Sequence, residues 1–192
     1  MNLPNKITIS RIISTPVFLG LFLFIKSHPG NIVLLSLLWL LYLAGEFSDI
    51  LDGYIARKYN LVSDVGKLLD PFADVISRVT MFLCLTHVGM MPVWIFAIII
   101  YRELGITFLR MMMLGKGKAQ GARIGGKLKA WFYFFSGFIG LIYYTMLNVG
   151  IGSNSYPLMN GVTLVVFILA ALSSVLSFID YFRVFLKMQS SK

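Results

Sequence analysis

The sequence predicts an all-α integral membrane protein: six transmembrane helices in one bundle, preceded by a short N-terminal interfacial segment. Three observations carry that prediction. Of 192 residues, 58% are hydrophobic and only 13% charged, with a mean hydropathy of +0.82, and a soluble domain of this length cannot hide so much apolar surface. The apolar residues fall in about six runs long enough to cross the hydrocarbon of a bilayer. The 17 Lys and Arg against 8 acids give a formal charge of +9, and these cations collect on alternate connections. That is the pattern of the positive-inside rule and not of a nucleic-acid surface.

Each element can be justified in turn. "LPNKITISRI" places Pro4 near a helix start and keeps polar residues for about three turns, so it either lies along the interface or flanks the first span directly. The spans are expected at 7–26, 31–57, 67–88, 92–114, 129–149 and 156–182. Each must be helical because lipid offers no partner to free backbone N–H and C=O groups. The breaks between them, "SHPGN", "HVGMMP", "GKGKAQGARIGGK" and "NVGIGSNSYPLMNG", carry glycine, proline and asparagine, the residues of turns. No repeat or composition shift divides residues 1–192, which read as a single domain. The polar opening and the lack of a small-residue cleavage site speak against a cleaved signal peptide. A single cysteine, Cys84, excludes an internal disulfide.

A cytoplasmic N-terminus puts Lys6, Arg11, Arg57, Lys58, Lys67, the 116–129 cations, Arg183, Lys187 and Lys192 on one side and leaves only Lys26 in an outer loop. Both termini are therefore expected in the cytoplasm. Trp94 and Tyr156 near outer ends, and Trp131 and Tyr181 near inner ends, fit interfacial anchors.

Six of the eight acids lie between Glu46 and Asp74. A carboxylate at membrane depth costs roughly 2.5–3.5 kcal/mol on insertion scales, so it needs a partner or a task. Asp49 and Asp52, spaced i and i+3, share a face at the cytoplasmic end of the second span, with Gly53 and Ala56 beside them. Asp70 and Asp74, spaced i and i+4, share a face at the start of the third. The connection between is short, so the two helices are antiparallel neighbours whose carboxylates can oppose each other. Four such groups repel unless cations neutralise them. An all-oxygen set without a Cys or His pair suits Mg²⁺ or Mn²⁺, and two ions on bridging carboxylates suit a phosphate or pyrophosphate. Gly53, Ala56 and Gly66 leave room for a ligand, and Arg57 offers a guanidinium to phosphate oxygens. The competing reading is a set of ion pairs with Arg57, Lys58, Lys67 or Arg78.

Asp49-Ile-Leu-Asp52-Gly53-Tyr-Ile-Ala56-Arg57, eight residues, Gly66, three residues, Asp70, three residues, Asp74 resembles the signature of the CDP-alcohol phosphatidyltransferases. The six-span layout agrees, so the resemblance covers essentially the whole chain. It implies transfer of a substituted phosphate from a CDP-linked donor to an alcohol, with release of CMP. It also implies that Asp49, Asp52, Asp70 and Asp74 hold two divalent ions and that Asp74 is the catalytic base. Asp52, Gly53, Ala56, Arg57 and Gly66 would bind the cytidine diphosphate, and family members tend to be homodimers. Asp64 falls outside the pattern and reads as a solvated loop residue.

"NLPNKIT" with Arg11, "RELGITFLR" and "GGKLK" resemble the branch of that family that uses CDP-diacylglycerol and glycerol 3-phosphate. Arg102 and Arg110 lie about 80° apart around one helix, and with Lys127 they would suit an acceptor that carries a phosphate. Arg102 could instead pair with Glu103 or Asp180, and Arg110 and Lys127 could be ordinary cytoplasmic flanks. Three departures from the branch, "VISR" after Asp74, Glu46 and Gly105, leave inositol phosphate, inositol or serine as other acceptors. Membrane lipid is a partner on this reading and nucleic acid is not. A small cation-coupled transporter is the reading from another class. It would need acids that continue toward the outer face, and beyond Glu103 there are none.

Overall fold

The computed structural model describes residues 2–59, 64–114 and 124–190, which are helical almost throughout. The helices are α1 (Leu3–Lys26), α2 (Ile32–Lys58), α3 (Asp64–His87), α4 (Val93–Leu114), α5 (Ile124–Val149) and α6 (Tyr156–Ser190), with one 3₁₀ turn at Ser153–Ser155. Four stretches, Leu3–Lys26, Ile32–Ala56, Leu128–Val149 and Ser153–Lys187, are long and apolar enough to cross a membrane. The other two expected spans, α3 and α4, are helices of ample length. Each carries at least three charged residues in every 18-residue stretch, so composition alone does not mark them as spans.

The chain divides into two compact units, one of Met1–Cys84 with Tyr144–Ser153, the other of Leu85–Tyr143 with Asn154–Lys192. In the first, α1 has no break where an interfacial segment was expected to give way to the span. Pro4 occupies the first turn, where its missing N–H costs nothing. The buried residues Pro4, Asn5, Thr8, Arg11, Thr15, Phe18, Phe22 and Ile25 recur at three and four, so they form one stripe. Its first half is polar and its second half apolar. The polar half is buried by pairing with side chains of α2 and α3, which is why it continues the helix instead of turning aside to water. Gly30, at φ +77°, turns the chain into α2. There the Asn31 side chain accepts from the Val33 and Leu34 amides and meets two of the orphan donors of the first turn. Phe22 stacks on Tyr144 at 4.3 Å, and Trp39 Nε1 donates to Thr145 Oγ1 at 3.0 Å.

In the second unit, Ile106, Leu109 and Met113 of α4 form a buried cluster with Tyr181 and Phe185 of α6, flanked by Phe178. Tyr181, expected as an interfacial anchor, is thus a core residue, while Trp94 and Trp131 are exposed as anchors should be. Gly105 lets α4 approach α6: a Cβ added there would stand 2.8 Å from Phe178 Cε2. This residue, a departure from the branch pattern, is therefore matched to a bulky ring on the facing helix. Gly105→Ala should lower stability by about 1–3 kcal/mol through overpacking, read as the unfolding midpoint in detergent. Adding Phe178→Leu should restore most of the loss; equal losses in the single and double variants would contradict the contact.

Candidate active site

The site is assembled from three helices of the first unit. On α1, Thr8, Arg11 and Thr15 are spaced i, i+3 and i+7 and lie on the buried stripe. On α2, Asp49 and Asp52 share a face, and on α3 Asp70, Asp74 and Ser77 do the same. Arg11 donates through Nη1 to Asp49 Oδ1 at 2.6 Å and to Asp74 Oδ1 at 3.3 Å, and through Nη2 to Asp52 Oδ2 at 3.5 Å. Thr8 Oγ1 stands 3.0 Å from Asp52 Oδ2, 3.0 Å from Asp70 Oδ1 and 3.1 Å from the Pro4 carbonyl oxygen. Thr15 and Ser77 meet at 3.1 Å deeper along the same seam. All four sequence-selected aspartates therefore come together, and α1 is what joins them.

The electrostatics of this cluster decide what it can hold. Arg11 is buried, with 3% of its side chain exposed, whereas Asp49 and Asp74 keep 37% and 33%. Arg78 Nη2 lies 3.8 Å from Asp74 Oδ2. Among the described residues two guanidiniums, Arg11 and Arg78, stand against these four carboxylates, so acids outnumber cations. Thr8 has one hydroxyl proton for three acceptors, so two carboxylates from different helices converge there on a donor that can satisfy one at a time. An all-oxygen, net-negative set of this kind fits a hard divalent cation. As the side chains lie, no three acidic, Cys or His groups among the described residues surround a common point in metal-holding geometry. The Arg11 guanidinium stands between them.

Of the remaining expected site residues, Gly53 and Ala56 are half-buried on α2 and Gly66 is buried in α3. Arg57 lies in the last turn of α2, and its side chain is outside the described residues. Asp64 opens α3 and is not a loop residue. Residues 60–63 of the connection are outside the described residues.

The residues expected to bind an acceptor phosphate lie in the second unit. Arg102 is buried and donates to Glu103 Oε1 at 2.9 Å, to the Ser174 carbonyl at 3.2 Å and to Ser177 Oγ at 2.7 Å. Lys129 Nζ reaches the same Glu103 oxygen at 2.7 Å, and the Tyr133 hydroxyl reaches it at 3.0 Å. Glu103 is thus the hub of a network that ties α4 to α5, while Arg102 ties α4 to α6. Pairing of Arg102 with Glu103, the alternative to an open phosphate ligand, is what the geometry adopts. Arg110 donates to Tyr181 Oη at 3.2 Å and stacks over its ring at 5.5 Å. Lys127 lies in the first turn of α5, and its side chain is outside the described residues.

The sequence placed Thr8 and Arg11 in the N-terminal motif of the branch and Arg11 among the cytoplasmic cations, but it assigned neither a task at the aspartates. The available signal was the helical spacing of Thr8, Arg11 and Thr15 in an otherwise apolar segment. Tyr133, Ser174 and Ser177 were missed, and Lys129 was placed in a motif without its partner, because Glu103 and Arg102, to which these residues bond, are remote in sequence.

A family model described as CDP-alcohol phosphatidyltransferase matches residues 1–176. The chain is similar to a CDP-diacylglycerol–glycerol-3-phosphate 3-phosphatidyltransferase of Treponema pallidum, 38% identical over 168 residues that cover 84% of this chain and 75% of that protein. A Bacillus subtilis protein of the same name is 36% identical over 137 residues, 68% of this chain and 71% of its own. A probable phosphatidylglycerophosphate synthase of Mycobacterium tuberculosis is 32% identical over 128 residues, 67% of this chain and 60% of its own.

Glu103→Leu should destabilise the protein by about 3–5 kcal/mol, because it leaves the buried Arg102 and Lys129 without their counter-ion. Chemical unfolding in detergent measures this; an unchanged midpoint would show that the network is not what holds these side chains.

Proposed function

Because the chain belongs to the CDP-alcohol phosphatidyltransferase family, we infer that it transfers the phosphatidyl group of CDP-diacylglycerol to the hydroxyl of sn-glycerol 3-phosphate. The products are CMP and phosphatidylglycerophosphate, and the enzyme is an integral membrane transferase of phospholipid synthesis. The observation that carries this reading is the likeness, over most of the chain, to two proteins whose names state that donor and that acceptor. The convergence of Asp49, Asp52, Asp70 and Asp74 on Arg11 and Thr8 supports the assignment of the reacting centre.

On this reading the four aspartates hold two divalent ions, Mg²⁺ or Mn²⁺. Such ions supply neutralisation of the diphosphate and of the CMP that leaves. Asp74 accepts the proton of the acceptor hydroxyl. The acceptor oxygen forms its bond to the phosphorus that bears diacylglycerol, and the bridging P–O bond to CMP breaks, with the electron pair leaving on CMP. Asp52, Gly53, Ala56, Arg57 and Gly66 line the cytidine diphosphate site, the glycine and alanine positions admitting the ligand close to the backbone. Arg110 and Lys127 provide the charge for the acceptor phosphate. Arg102 is engaged by Glu103, Ser174 and Ser177 and adds to the positive charge of α4.

The membrane arrangement follows from the same logic. All six helices cross, α4 carrying Arg102 and Glu103 inward, where both are buried, and α3 turning Asp70 and Asp74 toward Thr8 and Arg11 of α1. Both termini and the reacting centre face the cytoplasm, where the cations collect. The acyl chains of the donor stay in the bilayer, and the enzyme acts as a homodimer, as its family tends to.

Purified protein with CDP-diacylglycerol and Mg²⁺ or Mn²⁺ should release CMP with glycerol 3-phosphate and not with inositol, inositol phosphate or serine. Asp74→Asn should lower turnover by roughly 10²–10⁴-fold while nucleotide binding persists. Release of CMP with a different acceptor would move the assignment within the family, and near-normal turnover in Asp74→Asn would remove it as the base.

A further inference from the structure

Arg11 makes three carboxylate contacts, one short and two long. A guanidinium that serves as a permanent ion-pair partner does so best through two parallel bonds of about 2.7–2.9 Å to one carboxylate. Here one nitrogen, Nη1, is divided between Asp49 and Asp74 at 2.6 and 3.3 Å, and Nη2 reaches Asp52 only at 3.5 Å. The third nitrogen, Nε, is buried and has no hydrogen-bond partner. An orphaned buried donor on a charged group is costly, so this is a compromise that sets one guanidinium against three acids and leaves the guanidinium itself incompletely bonded.

The same oxygens are the ones a divalent ion would need. Mg²⁺ takes carboxylate oxygens at about 2.0–2.1 Å, and Asp49 Oδ1 and Asp74 Oδ1 both already face Nη1. A guanidinium and a divalent cation cannot share that position, because their mutual repulsion adds to the loss of both ligand geometries.

We propose that Arg11 is the resident counter-cation of the carboxylate site: it holds Asp49, Asp52 and Asp74 together while no divalent ion is bound, and it withdraws when one binds. This rests on the reading of the aspartates as a divalent-ion site. It makes Arg11 a positioning residue with two effects of opposite sign. Helices α1, α2 and α3 assemble without waiting for metal, and the affinity for metal is lower than the carboxylates alone would give. An ordinary supporting residue behind metal ligands acts in the other direction, since its loss weakens metal binding by about 10–100-fold.

Mn²⁺ binding to the purified full-length protein, followed by the loss of the free-ion electron paramagnetic resonance signal, separates these cases. Thermal unfolding with EDTA and with Mn²⁺ is recorded alongside. Arg11→Met should bind Mn²⁺ roughly tenfold more tightly than the wild type, the inverse of a supporting residue's effect. It should also unfold at a lower temperature in EDTA and regain that loss in Mn²⁺. Arg11→Lys keeps the charge but cannot reach three carboxylates, so its affinity should fall between the two; it carries the test if Arg11→Met does not fold. Unchanged or weaker Mn²⁺ binding in the variants, with binding intact in the wild type, overturns the role of Arg11 and leaves the ion site standing. No Mn²⁺ binding by the wild type overturns both, while CMP release in the same preparation still reports on the reaction itself.

Discussion

A hydrocarbon interior gives a charge no solvent, so a carboxylate buried there needs counter-charges or hydrogen-bond donors from the protein itself. Arg11 meets that constraint for the three aspartates it reaches on α2 and α3. Much of the first unit is arranged around this contact. The N-terminal turns of α1 are helical and buried because they deliver Arg11 and Thr8 to the acids. The apolar half of the same stripe, Phe18, Phe22 and Ile25, then packs where no charge is present. A polar start to α1 is thus not a hesitant approach to the membrane but the cationic part of the site.

The second unit solves the same problem with the signs reversed. One buried acid, Glu103, gathers Arg102 and Lys129 and a tyrosine hydroxyl onto a single oxygen. Three helices, α4, α5 and α6, contribute to this network, and the Arg110–Tyr181 pair extends the joining of α4 to α6. Arginine suits both settings because its planar fork can address several acceptors on different helices at once.

Much of this was legible before any coordinates. The six hydrophobic runs became six helices, most ends within a few residues of those expected and α6 running eight residues further, to Ser190, since spans and their turn residues follow directly from what lipid forbids. The aspartate spacing placed Asp49, Asp52, Asp70 and Asp74 on faces that meet, and it identified the family. Less was legible where the answer depended on a partner far along the chain. Helical period shows which face a residue occupies, but it does not reveal that Arg11 faces three acids, that Tyr181 is buried under Arg110, or that Arg102 turns to Glu103. Asp64 was misplaced because it begins a helix that the apolar pattern alone starts later. The reaction class is written in one compact stretch, whereas the charges proposed for the acceptor are dispersed over α4 and α5.

The central claim is that the four aspartates are a divalent-ion site and not a set of structural ion pairs. Anomalous scattering at the manganese edge, from crystals of the protein with Mn²⁺ and CDP-diacylglycerol, tests it most directly. The account predicts two peaks about 3.5–4 Å apart, ligated by Asp49, Asp52, Asp70 and Asp74, with the Arg11 guanidinium moved away from Asp49 and Asp74. Strong manganese peaks elsewhere, with Arg11 still bound to all three of its aspartates, would contradict it.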